Sequence, residues 1–164
     1  MSRLPTLGPR GEGWLALQLV LLGLVFVTGL PGALEGAFSL AGGSTLAARV
    51  LVAAGLVVAG LVLAVWGTLA LGRSFAALPQ PPPGAELVES GPYRWVRHPI
   101  YLGLLVGSLG WGVLAGSLVT LGLTMALAVL LDLKARREEA WLAARFPDYA
   151  DYRRRTRRLV PFLY

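Results

Sequence analysis

From Ile100 to Leu131 the chain reads IYLGLLVGSLGWGVLAGSLVTLGLTMALAVLL, 32 residues without one Asp, Glu, Lys, Arg or His. As a single helix this stretch would extend roughly 48 Å, well beyond a hydrocarbon core of about 30 Å. Its middle, Gly110-Trp111-Gly112-Val113-Leu114-Ala115-Gly116-Ser117, predicts a tight helical hairpin with arms at 100–114 and 117–133. Two further apolar runs precede it. Residues 14–30 are interrupted only by Gln18 and Thr28, and 46–71 carry Arg49 near the start and Trp66 near the end. Each is long enough to span a bilayer, and Arg49 can snorkel to the interface. The Gly-, Pro- and Ser-rich stretch from Pro31 to Thr45 predicts a loop between them. The expected fold is all-α and integral to the membrane: four transmembrane helices, the last two a hairpin, followed by a C-terminal helical segment over 134–164.

Composition agrees with this. Of 164 residues 55% are hydrophobic and 15% charged, with a mean hydropathy of +0.65, whereas soluble domains carry about 25% charged residues. Arg3 and Arg10 before the first run resemble the start of a signal peptide, but no convincing small-residue cleavage site follows, so a retained helix is expected. There is no cysteine, which excludes disulfides, thiolate metal sites and a catalytic thiol. With four spans, Arg3, Arg10, Arg73, Arg94, Arg97 and the nine cations from Lys134 to Arg158 share one side, and Arg49 stands alone on the other. The positive-inside rule then places both termini in the cytoplasm.

Two polar segments are not explained by the need to span. The connector 72–99 contains the stiff Pro79-Gln80-Pro81-Pro82-Pro83-Gly84, then a Gly91-Pro92 turn, then Arg94-Trp95-Val96-Arg97-His98-Pro99. Pro99 suits the first turn of the next helix. That puts Arg97 and His98 beside outward-pointing helix amides, which attract anionic or carbonyl groups. The segment 134–164 continues the fourth helix to about Arg145, breaks at Pro147, and ends in a basic cluster, Arg153 to Arg158, before an apolar tail, Leu159 to Tyr164. Lys134 and Glu138 are four apart and share a face. The basic cluster is most simply an anchor for anionic lipid; no base-reading fold surrounds it, so nucleic acid is not expected as a partner. No P-loop, His-Glu-x-x-His, serine elbow or Cys/His set is present, which leaves classical hydrolases and metal enzymes unsupported.

Gly91-Pro92-Tyr93 followed by Arg97-His98-Pro99-Ile100-Tyr101-Leu102-Gly103 resembles the G-x-Y…R-H-P-x-Y-x-G signature of the isoprenylcysteine carboxyl methyltransferase family. Glu138-Glu139-Ala140-Trp141-Leu142 is similar to its E-E-x-x-L, Tyr149-Ala150-Asp151-Tyr152 to its Y-x-x-Y, and Pro161 to its closing proline. Membrane phospholipid methyltransferases share the R-H-P and E-E parts. The resemblance covers Leu71 to Phe162; the first two helices match only as spans. It implies a membrane enzyme that uses S-adenosylmethionine without a Rossmann domain. By position, the implied cofactor contacts are Ala85, Glu86, Leu87, Val88, Tyr93, His98, Pro99, Ile100, Tyr101 and Glu138, with a more distant one near Leu78. The implied substrate-side cation is Lys134, where better studied members have Arg, with Arg97 or Arg136 nearby. A Val-Pro of the family is replaced by Thr156-Arg157.

The chemistry fits these residue types. Methyl transfer is an in-line displacement that depends on positioning. A carboxylate acceptor is already ionised at pH 7, whereas an amine would need a base such as His98 or a glutamate. The implied partners are membrane lipid and a lipidic or prenylated small-molecule acceptor entering sideways from the bilayer; the glycine-rich helices also allow close packing with a second copy. The leading expectation is carboxyl methylation of an isoprenylcysteine-like compound. Phospholipid N-methylation, small-thiol S-methylation and a non-catalytic, lipid-binding scaffold are the alternatives.

Overall fold

A computed structural model describes residues 5, 7–38, 44–81 and 83–160. The described chain is all-helical: α1 (Glu12–Phe38), α2 (Ser44–Leu71), α3 (Pro99–Ala115), α4 (Leu118–Arg145) and α5 (Tyr149–Arg155), with short 3₁₀ turns at Gly72–Ser74 and Gly91–Arg94. α1, α2 and α4 are long and apolar enough to cross a membrane, and α3 is a shorter apolar helix of 17 residues. The outward faces are apolar: Leu51 and Leu69 are each 74% exposed, and Leu118 85%. Such faces suit lipid rather than water, so the chain is an all-α membrane protein.

The predicted hairpin is present. α3 ends at Gly116, whose φ of 60° lies in the left-handed region that glycine adopts without strain. Ser117 then caps α4, its hydroxyl accepting from Thr120 N. α4 runs to Arg145 and stops at Phe146, before Pro147.

One expectation is overturned. The loop expected over Pro31–Thr45 does not begin at Pro31; α1 continues through it to Phe38, and α2 begins at Ser44. In an apolar medium unbonded backbone is costlier than a proline within a helix, so the helix propagates. Packing adds to this: a Cβ on Gly32 would lie 2.1 Å from Ala115 O, so the helical Gly32 lets α1 lie against the end of α3. Residues 39–43 and the tail from Pro161 to Tyr164 lie outside the described residues.

The two long packing seams differ. α2 lies tightly along α3, where a Cβ on Gly60 would come within 2.5 Å of Gly103 O. α1 leans on α3 and α4 and scarcely touches α2. An apolar groove of about 860 Å³ therefore opens between α1 and α2, with Leu22, Val25 and Phe26 on one bank, Val57 and Leu61 on the other, and α3 as its floor. The N-terminal end of α1, the C-terminal end of α2, the start of α3 and the last turns of α4 meet at one end of the bundle, where the connector folds over them.

Candidate active site

The site is built on the start of α3. Gly91 and Pro92 form the 3₁₀ turn that buries Tyr93, and Tyr93 O accepts from Tyr152 OH at 2.8 Å. Residues 95–98 then pair in strand-like fashion with the segment after α5. Arg157 N donates to Trp95 O at 3.1 Å, Arg97 N to Arg157 O at 2.8 Å, and His98 N to Arg158 O at 3.1 Å. This pairing fixes His98 as the residue that caps α3, immediately before Pro99.

Two consecutive glutamates of α4 meet this corner from different sides. Glu138 accepts a hydrogen bond from Tyr101 OH and lies 3.4 Å from His98 Nδ1. The His98 ring stacks on Tyr101 with centroids 5.4 Å apart. Glu139 is buried and takes Arg97 Nε at 2.8 Å, Arg158 Nε at 3.2 Å and Arg158 Nη2 at 3.3 Å. His98 Nε2 is 3.4 Å from Glu139 Oε1 without a well-formed hydrogen bond. Arg97 also donates through Nη1 to Thr156 O at 2.6 Å and to Arg153 O at 3.2 Å.

Electrostatics follow from burial. For His98, burial disfavours the imidazolium, but the Glu138 and Glu139 carboxylates outweigh it and raise its proton affinity above the ordinary value. Burial, first of all, holds the hydroxyls of Tyr93, Tyr149 and Tyr152 protonated well above the usual phenol range.

A cavity, partly open to solvent, lies between this corner, the connector and α1. Of the residues singled out from the sequence, Ala85, Glu86, Leu87, Val88, Tyr93, Arg97, His98, Ile100, Tyr101, Lys134 and Glu138 border it, as does Leu78. Pro99 is fully buried behind them. The Arg97 guanidinium is held by Glu139 and Thr156, and Arg136 pairs with Asp132 at 2.7 Å, away from the cavity. Lys134 is buried in the wall, donating to Gln18 Oε1 at 2.7 Å and Ala77 O at 3.1 Å, with its ammonium 5.1 Å from the Tyr101 ring centre.

Sequence reasoning missed Leu15 and Gln18 of α1, and it placed Tyr149 and Tyr152 in a motif without giving them a place on the wall. Gln18 carries a signal in hindsight, an amide inside an otherwise apolar span, because polar groups at membrane depth are costly to keep. Among the described residues no group of three or more His, Cys, Asp or Glu is placed to hold a metal ion.

The cavity offers an adenosyl sulfonium cofactor suitable groups. Among the described residues the backbone of Ala85–Val88 makes one hydrogen bond, Glu86 N to Ser74 Oγ at 3.0 Å. Its remaining N–H and C=O groups have no partner among the described residues, and the segment runs exposed to half-buried along the cavity. Glu138 supplies an anion and Tyr93 an aromatic part of the wall, while the Tyr101 ring is stacked on His98 and lies beside the Lys134 ammonium.

The family described as phospholipid methyltransferase matches this chain over residues 48–148. A cobalt-zinc-cadmium resistance protein, CzcN, of Cupriavidus metallidurans is 45% identical over 78 residues, 47% of this chain and 36% of that protein. A nickel-cobalt-cadmium resistance protein, NccN, of Alcaligenes xylosoxydans xylosoxydans is 42% identical over 80 residues, 48% of this chain and 37% of its own length. The protein-S-isoprenylcysteine O-methyltransferase of Schizosaccharomyces pombe is 35% identical over 79 residues, 47% of this chain and 34% of the yeast protein. The matched stretch thus spans little more than a third of each relative.

Proposed function

Because the chain belongs to the phospholipid methyltransferase family, we propose that it is a membrane-embedded methyltransferase that uses S-adenosylmethionine and modifies a lipidic or amphipathic acceptor, first of all the carboxylate of an isoprenylcysteine-like compound. The observation that carries this reading is the meeting of Glu138, His98 and Tyr101 with the Ala85–Val88 segment around one cavity. When bound there, S-adenosylmethionine supplies an electrophilic methyl group on a sulfonium sulfur. Glu138 would face the cationic part of the cofactor, Tyr93 would pack against its rings, and Ala85–Val88 would offer backbone donors and acceptors.

The acceptor would approach through the apolar groove between α1 and α2, which leads along α3 toward Tyr101. Lys134 stands in the cavity wall, a cation suited to the acceptor's anionic end. In the overall reaction a C–S bond breaks, a C–O bond forms, and the products are a methyl ester and S-adenosylhomocysteine. A carboxylate arrives ionised, so the protein's task is orientation and exclusion of water. The family's own description favours a second reading, methylation of a phospholipid amine. The clustered cations favour a site on the cytoplasmic face.

The test is calorimetric titration of S-adenosylmethionine into detergent-purified protein, beside His98→Ala and Glu138→Ala. Saturable binding to the wild type and its loss in both variants is the expected result. A folded wild type that binds none in detergent or in lipid nanodiscs would overturn the assignment. Turnover of a prenylcysteine against an aminophospholipid then separates the two acceptor readings.

A further inference from the structure

Two tyrosines of α5 are almost equally buried, Tyr149 at 1% exposure and Tyr152 at 3%, and both border the cavity. Their rings meet edge to face with centroids 5.9 Å apart. The fold uses the hydroxyl of Tyr152, which donates to Tyr93 O at 2.8 Å. The hydroxyl of Tyr149 is buried and has no hydrogen-bond partner among the described residues. Burial keeps it protonated, so it is a donor without an acceptor. Glu139, the carboxylate that acts on it electrostatically, has its oxygens on Arg97 and Arg158. An unpaired buried hydroxyl is costly and is the exception in folded proteins. A phenylalanine would fill the same space without that cost.

Its surroundings define the ligand group that would meet it. Lys134, Glu138 and Leu142 of α4 and Phe146 at its C-cap are spaced four residues apart and all border the cavity. This stripe begins with a cation and an anion and ends in two apolar side chains. Tyr149 follows at the apolar end, where its N–H donates to Phe146 O at 3.1 Å. A group seated there is apolar over its faces and carries a hydrogen-bond acceptor at its edge. The adenine ring of S-adenosylmethionine is such a group, since its ring nitrogens accept in the plane of an otherwise flat surface. It also lies at the opposite end of the cofactor from the amino-acid ammonium. With the cationic part of the cofactor at Glu138, the ring is the part that reaches Leu142 and Phe146.

We propose that Leu142, Phe146 and Tyr149 seat the adenine ring of the cofactor, with the Tyr149 hydroxyl donating to one of its ring nitrogens. This rests on the methyltransferase reading and assigns the cofactor's base to the end of the cavity formed by the close of α4 and the start of α5. The edge-to-face contact with Tyr152, itself tied to Tyr93, holds the Tyr149 ring in place before the ligand arrives.

The test titrates S-adenosylhomocysteine and its deaza analogues, in each of which one acceptor nitrogen of the ring is replaced by CH, into detergent-purified wild type and Tyr149→Phe. Thermal midpoints without ligand are recorded for both and for Tyr152→Phe. One analogue is expected to bind the wild type about threefold to tenfold more weakly than the parent, the range of a neutral hydrogen bond. Tyr149→Phe is expected to bind the parent with the same loss and not to distinguish it from that analogue. Its midpoint should equal or exceed that of the wild type, because an unpaired oxygen has gone, whereas Tyr152→Phe should melt lower. A wild type that binds the parent and every analogue equally overturns the proposal. So does undiminished binding by Tyr149→Phe, or a midpoint lowered as far as that of Tyr152→Phe. Each of these results leaves the methyltransferase reading standing; a folded wild type that binds no S-adenosylhomocysteine in detergent or in lipid nanodiscs overturns both.

Discussion

Glu138 and Glu139 are neighbours on one helix, yet they serve two different regions. Glu138 faces the cavity, where its partners are a phenol and an imidazole. Glu139 faces the tail, where its partners are two guanidinium groups. One helical step of about 100° separates a carboxylate that is available to a ligand from one that is fully taken up by the fold. The lesson is that a repeated residue in a motif can mark a boundary between chemistry and architecture.

That contrast can be broken experimentally. The largest effect is expected from Glu139→Gln, which leaves Arg97 and Arg158 without their shared counter-charge. Breaking a buried ion pair from one side costs about 3–5 kcal/mol, so the thermal midpoint in detergent should collapse and the C-terminal segment should become susceptible to protease. If Glu139→Gln melts like the wild type, the division of labour is wrong. Next comes Glu138→Gln. Its thermal midpoint should stay close to wild type while S-adenosylmethionine affinity falls about tenfold or more, the loss expected of a charged contact; calorimetry and a melt on the same sample decide it. Tyr101→Phe is milder. It removes the hydroxyl that donates to Glu138 and keeps the ring on His98, so affinity should fall only a few-fold. Equal losses for Tyr101→Phe and Glu138→Gln would mean that Glu138 acts only when oriented by Tyr101.

The smallest effect is a pH slope. His98 has contacts with both glutamates, and its folded proton affinity is raised above the ordinary 6.5. The stabilisation from this shift is complete below that value and is lost as pH rises through the folded pKa. From about pH 6.5 upward the wild type should lose thermal stability more steeply than His98→Gln. Parallel curves would show that the imidazolium pairs with neither carboxylate.

The sequence made the hairpin legible because 32 uncharged residues cannot span once, and glycine at 116 marks where they turn. The connector was legible because its prolines stiffen it, and the R-H-P corner through the motif it resembles, since a lone histidine at a helix start is more often only a cap. Pro31 misled, because a residue that ends helices in water is carried within one in an apolar medium. The separate duties of Glu138 and Glu139 were not legible, since they depend on where Arg158 folds back. Gln18 was hidden because periodicity shows that a helix spans but not which of its faces meets α4.

The strand-like pairing of residues 95–98 with 157–158 also sets an order of assembly. Arg97 and its partner Thr156 are 59 residues apart in the chain, which at ~5–20 residues per second corresponds to roughly 3–12 s of synthesis. During that interval α3, α4 and the cavity residues they carry are still being made, and the backbone that holds His98 in place comes last. The protein therefore acquires its working corner as a late event of translation, after its helices have entered the membrane.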